Sequence, residues 1–436
     1  MQVRQSNLNQ FEMRPPGNFL RKLFQNLFFL QFLLIIVLVI FLMIRGLLSA
    51  HAHHFHPQKW YPPLLASVAC GGIVSLLWQL MSSYNPSRTM RSAFWLSPLL
   101  TCAAGILFVA IGSPGSLAAG ALAIVSAIIQ SIYSCWVIPR FEYSGRVLTT
   151  AVAFTPAKTS LLRFLAVVAS TLYSCFLVAG IGGATATGSA LDKLFIFLIL
   201  LSLTWTLHII KNTIVVTLSW VKYMKFAVGM DLDAKDALYE TLGNLTGTIC
   251  IGSAILPILS VVRGSARAIS LISGETDEFM FSCANCYSGV ASRLIAHGNR
   301  WGFVQVGVYG KNFGQASRDT WELLGRGGLE PVIESDLTSS FCFLCGMAGG
   351  SASSLVGGSW TLLVHKSYAT EVSIYAFLIG YFMTRVSMAW QQACILAYYV
   401  AYAENPQNQR LDPTISERIK EIQRLQQIQE IQRSRA

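Results

Sequence analysis

Two apolar stretches carry polar and ionisable residues at helical spacing. In 191–221 (LDKLFIFLILLSLTWTLHIIKNTIVVTLSWV), Trp205, His208 and Asn212 stand at i, i+3 and i+7 and share one helical face, with Lys211 beside them. In 371–402, Tyr381, Arg385, Met388, Gln392 and Tyr399 share a face in the same way, and Trp390 is a further aromatic there. Ionisable groups are costly away from water and face a cavity or a partner. Aromatic faces attract organic cations, and a few amide groups can orient the rest of a solute. Trp205, His208, Asn212, Tyr381, Trp390 and Gln392 are therefore the candidate substrate-binding residues of a path between these two helices. Lys211 and Arg385 weigh against a cationic solute unless they are neutralised, and the acids nearest in sequence, Asp192, Glu371 and Glu142, do not lie deep. The structural alternative has both cations bonded to carbonyls of broken helices, or snorkelling. His208 could relay protons or be a hydrogen-bonded packing residue, and each aromatic could equally anchor a helix at the membrane interface.

The elements that position these residues follow from composition. Of 436 residues, 53% are hydrophobic and 12% are charged, against about a quarter charged in soluble domains. The chain reads as all-α and polytopic, a membrane protein with lipid as its solvent. The net charge of +11 sits mostly between and beyond the apolar runs, which points to headgroups rather than nucleic acid. A crossing needs roughly 20 mostly apolar residues. The runs 27–49, 61–82, 95–112, 116–138, 161–181, 191–221, 244–262, 339–364 and 371–402 qualify. A weaker run, 141–160, is interrupted by Pro156. Counting it as a short or broken crossing gives about ten helices with both termini cytosolic. Only Lys59, Lys158, Lys222, Lys225, Lys235 and Lys366 then fall on the far side, as the positive-inside rule favours. The expected organisation is a cytosolic tail (1–26), helices 1–8 (27–262), a cytosolic amphipathic loop (263–338), helices 9–10 (339–402) and a cytosolic C-terminal helix or tail (403–436).

Within the loop, 298–324 reads GNRWGFVQVGVYGKNFGQASRDTWELL. Val306, Tyr309, Phe313, Ala316, Thr320 and Leu324 recur at steps of three and four. The pattern predicts an amphipathic helix on the inner membrane surface, where Tyr309, Asn312 and Phe313 could brace a gate. On that reading, acidic substitutions at Tyr309 and Phe313 stop transport without unfolding the protein. Ile415, Ile419, Ile422 and Leu425 repeat the stripe near the C-terminus, for an interfacial helix, a coiled-coil contact or a solvated helix.

The run NRWGFVQVGVYGKNFGQASRDTWELL (299–324) resembles the most recognisable segment of the choline transporter-like proteins. The surrounding parts agree in order: GTICIGSAILPILSVVRGSAR (247–267) upstream, then two spans and YAENPQNQRLDP (402–413) downstream. The resemblance covers roughly 100–413. It implies ten transmembrane helices with cytosolic termini, and movement of choline, in some members ethanolamine, across plasma or organelle membranes. In place of a large Cys-bearing extracellular domain the chain has only HAHHFHPQKWYPP (51–63), so it looks more like the short plant and fungal members. The expected partners are choline or a similar organic cation and membrane lipids, with a homo-oligomer left open.

The remaining motifs carry weaker chemistry. Gly346 and Gly350 stand at close-packing spacing. Cys283–Cys286 and Cys342–Cys345 have CxxC spacing, and 51–56 holds four histidines; both read more simply as packing or solvated residues than as metal sites. Asn244 opens a glycosylation sequon expected on an outward edge. The sequence lacks a Walker-type loop, an HExxH motif and a nucleophile–base set, so neither catalysis nor a cofactor is expected. A transporter for choline or a related cation, passive or ion-coupled, is the leading reading. A scaffold or trafficking factor that binds lipid or proteins without moving solute is the alternative.

Overall fold

The computed structural model describes residues 18–49, 57–153, 158–184, 190–272 and 298–433, and every regular element among them is a helix. In chain order the main helices are α1 (Asn18–Ser49), α2 (Pro57–Tyr84), α3 (Pro86–Ile111), α4 (Pro114–Trp136), α5 (Phe141–Ala153), α6 (Thr159–Ala184), α7 (Ala190–Tyr223), α8 (Thr246–Ile272), α9 (Gly302–Tyr309), α10 (Phe313–Arg326), α11 (Thr338–Val364), α12 (Ala369–Ser387), α13 (Ala389–Glu404) and α14 (Thr414–Arg433). Among the described residues eight helices are long and apolar enough to cross a bilayer, and nine if the pair α12–α13, bent by 42°, counts as one. The protein is an integral membrane protein.

Contacts sort the helix ends into two sets. At the end shared by both tails, Gly247 at the start of α8 abuts Arg21 of α1, and Gly145 of α5 abuts Ser87 of α3. Lys158 before α6 pairs with Asp233, and Lys222 at the end of α7 donates to Ala151 O of α5 at 3.0 Å. At the opposite end Gly183 lies on Leu42 O, Tyr61 donates to Ala179 O at 3.0 Å and Ser113 meets Thr370 at 2.9 Å. Helices α1 to α4, α6, α7, α11 and α12 therefore alternate in direction.

This arrangement corrects three expectations. The helix in the described part of 141–160 is too short to cross: α5 has 13 residues, about 20 Å of helix against an apolar layer of about 30 Å, and its contacts lie at the tail end. Lys158, Lys222, Lys225 and Lys235 are not on the far side but share that end, as does Asn244, whose amide donates to Glu240 at 2.6 Å. The run 371–402 is not one crossing helix: it breaks at Met388, and every residue of α13 from Ala389 to Tyr402 is buried in protein. An all-round apolar helix needs an apolar sheath; here α5, α7, α9 and α10 supply it. The His-rich 51–56 and Cys283–Cys286 lie outside the described residues.

Polar side chains within the spans mostly bond to their own helix. Thr101, Thr204, Thr213 and Thr361 each donate to the carbonyl four residues back, which satisfies a hydroxyl where water is absent. A widened turn at Met224–Val228 leaves carbonyls that chain beyond α13 covers: Asn408 donates to Phe226 O at 3.0 Å.

α11 and α12 pack through small residues. A Cβ on Gly380 would lie 2.6 Å from Gly349 O, and one on Gly350 2.8 Å from Phe377 O, both backbone atoms that cannot turn aside. Gly380→Ala is expected to cost about 1–3 kcal/mol by overpacking, read as a lower unfolding temperature in detergent. Gly243→Ala, with nothing within 4 Å, serves as the control; equal melting of the two variants would contradict this packing.

Candidate functional site

The 298–324 stretch forms a helical hairpin rather than one surface helix. Its break is set by Gly310, at φ 64°, a left-handed conformation that glycine adopts without strain. From Gly302 to Gly307 α9 is buried on all sides, and Gly307 lies within 2.9 Å, as a Cβ, of Val216 O on α7. Only α10 keeps one buried face, of Phe313, Ala316, Ser317, Thr320 and Leu324. Asn299 locks the two arms together: its amide donates to Ser317 O at 2.8 Å, and its Oδ1 accepts from Gly302 N at 3.2 Å. Lys311 closes the turn by donating to Gln305 at 3.0 Å and pairing with Asp319 at 2.7 Å.

The Asn299 clamp holds Arg300 and Trp301 at a cavity of about 170 Å³ between α7, α8, α12 and the start of α13. From α7 come His208, Lys211 and Asn212; from α12 and α13 come Arg385 and Gln392. Leu256, Pro257 and Leu259 of α8 form an apolar wall. His208 donates from Nδ1 to Thr204 O at 2.8 Å, which leaves Nε2 as its second polar atom, and its ring meets Phe382 edge-on at 5.4 Å. Asn212 donates to Ser253 of α8 at 2.9 Å. The Arg385 stem lies on the bare face of Gly346, where a Cβ would come within 2.8 Å of Arg385 Cδ. Gln392 is 8% exposed, and its Oε1 has no partner among the described residues.

Three sequence candidates, His208, Asn212 and Gln392, thus meet at one cavity. The three aromatics do not join them. Trp205 turns to α1 and packs edge-on against Phe28 at 5.9 Å; Trp390 is buried beneath Arg163 at 4.2 Å; Tyr381 stacks on Phe377 at 6.3 Å. Among the described lining residues the aromatic is Trp301. Arg300 and Trp301 were missed because they sit in a turn, where no period singles them out. Lys211 and Arg385, read as obstacles, are part of the lining.

The three residues placed at an inner-surface gate are found at the tail end. Tyr309 meets Tyr223 OH at 3.0 Å and donates to Glu404 at 3.2 Å, and Tyr223 also donates to Glu404. Burial, with the Glu404 carboxylate beside it, pushes the Tyr309 hydroxyl up to about 12, so it stays a donor at neutral pH. Asn312 is the N-cap residue of α10. Phe313 is 2% exposed and packs on Phe303 at 5.2 Å, within the core rather than at a membrane surface.

Residues 121–407 match the family described as plasma-membrane choline transporter. The chain belongs to the choline transporter-like family. Protein PNS1 of Yarrowia lipolytica is 22% identical over 81% of this chain and 67% of its own length. A CTL-like protein of Dictyostelium discoideum is 22% identical over 62% of this chain and 50% of its own. Protein PNS1 of Cryptococcus neoformans is 22% identical over 42% of this chain and 37% of its own. The chain thus spans about a third to two thirds of these relatives' lengths. Membership supports a membrane transporter role, in a family of transporters rather than enzymes.

The buried place of Phe313 reverses the expectation that an acid there would be tolerated. Phe313→Ala is expected to cost about 3–5 kcal/mol, seen as loss of monodisperse protein in detergent. Tyr309→Phe keeps the ring and should remain monodisperse; if the two behave alike, the burial described here is wrong.

Proposed function

We propose that the chain is a transporter that moves a small organic solute through the cavity between α7, α8 and α12, with choline or a related organic cation as the solute that family membership implies. The observation that carries this reading is the convergence of His208, Lys211, Asn212, Arg385 and Gln392 on one space between separate spans. Groups so costly to remove from water do not line a void between packed helices without a use. A scaffold would need no such space.

The packing supports a threading of ten crossings. α8 leaves the tail end, and α11 also starts there, because Ser144 of α5 accepts from Leu337 N at 3.1 Å. The number of crossings between them is therefore even. α8 is one, so the parity asks for one more before α11. Added to the nine counted above, it makes ten without residues 141–160. Both tails then share a side. Arg88, Arg140, Arg146, Lys225, Lys311 and Arg410 lie on that side with them, against Arg45, Lys59, Lys193 and Lys366 at the other end, so the tail side is the cytosolic one.

Purified protein in proteoliposomes is expected to show saturable uptake of radiolabelled choline; flux no greater than that of empty vesicles would favour the scaffold. A single cysteine at Lys225 should react with an impermeant reagent from the same face as one placed beyond Thr414. Reaction from opposite faces would break the threading.

A further inference from the structure

We propose that the cavity between α7, α8 and α12 holds a small oxyanion, a phosphate-type group, gathered by Lys211 and Arg385. The proposal rests on the same cavity as the transport reading but concerns what binds there, and it stands or falls on binding rather than on flux.

Lys211 and Arg385 line this space beside Arg300, which has an interaction of its own, and no Asp or Glu does so among the described residues. Three other partly covered cations have an acid, Arg45 with Asp192, Lys225 with Asp231 and Lys311 with Asp319, whereas Arg163 is met by the hydroxyls of Ser83 and Ser160. Neither Lys211 nor Arg385 makes an ion pair with a described residue. Like charges held together beside an apolar wall repel more strongly than in water, and the same wall strengthens their pull on an anion.

The rest of the lining suits that guest. Leu256, Pro257 and Leu259 limit the water that could screen the charges. Gln392, almost fully buried with an unpartnered amide oxygen, belongs to an amide that can turn either end to the space. Arg385 is held by its stem against Gly346, so its planar fork is aimed before a ligand arrives, the geometry that favours oxyanions. A volume of about 170 Å³ lies below the roughly 300–1,000 Å³ of drug-sized sites, which fits a compact tetrahedral group.

The oxyanion has two sources with shared chemistry, a free or solute-borne phosphate and a lipid headgroup. The full-length protein in detergent would be melted with inorganic phosphate, phosphocholine or an anionic lipid in mixed micelles, each against chloride at matched ionic strength. The expected result is a saturable rise of several degrees for at least one of these, lost in the Lys211→Gln/Arg385→Gln double variant. Gly346→Ala, which keeps every charge but displaces the Arg385 stem, should weaken the half-saturating concentration about tenfold. Saturation by phosphate or phosphocholine points to a soluble guest, and saturation by the lipid alone to a headgroup; either supports the site. The proposal is overturned if no probe raises the melting temperature, or if the double variant responds like the parent. It is also overturned if a response appears only after Glu275→Gln, Asp277→Asn and Glu278→Gln, which would mean that the chain's own acids neutralise the cations. Choline flux with no anion response would sink this proposal alone, and an anion response without flux would sink the transport reading alone.

Discussion

The constraint on which this structure depends is the absence of water from most of its volume. A buried donor or acceptor without a partner costs more than a hydrogen bond returns, so the spans carry hydroxyls that turn back onto their own helices and glycines that let backbones approach. Against that background a polar group that does neither stands out. Lys211, Arg385 and Gln392 are such groups, and they meet in one place. The cavity is thus marked by the failure of a rule that the surrounding helices obey.

A second feature follows from the bend at Met388. It ends α12 and sends α13 into a protein sheath. Arg385 and Gln392 lie on either side of that bend, so the break brings two polar residues of this helix pair to the lining. The hairpin of α9 and α10 completes the site from above. The Asn299 clamp to Ser317 fixes the turn, and the turn carries Arg300 and Trp301.

The sequence made the all-helical, membrane-borne architecture legible, and the resemblance in 299–324 identified the family. Where it misled, the cause was shared. Hydropathy reports removal from water and does not say whether lipid or protein takes water's place. The run 371–402 therefore read as one continuous helix although it breaks at Met388 and α13 is sheathed by helices, and 141–160 read as a weak span although α5 lies against α13. The stripe from Val306 to Leu324 matched a surface helix because its period survives the break at Gly310, while the other side of α9 is closed by glycine contacts with no hydropathy signature. His208, Asn212 and Gln392 line one cavity, as helical spacing lets residues share a face. Trp205 does not join them, because it turns far enough to meet Phe28 of α1.

The carboxylate shared by Tyr223 and Tyr309 has a consequence for how the protein is made. Glu404 follows Tyr223 by 181 positions, and the Tyr399 hydroxyl that meets Tyr143 follows it by 256. Chains emerge from the ribosome N-terminus first, so α5, α7 and the α9–α10 hairpin are synthesised before the helix they enclose. Until α13 arrives they hold an open apolar groove, and the tail-end cap closes only once α13 has been made.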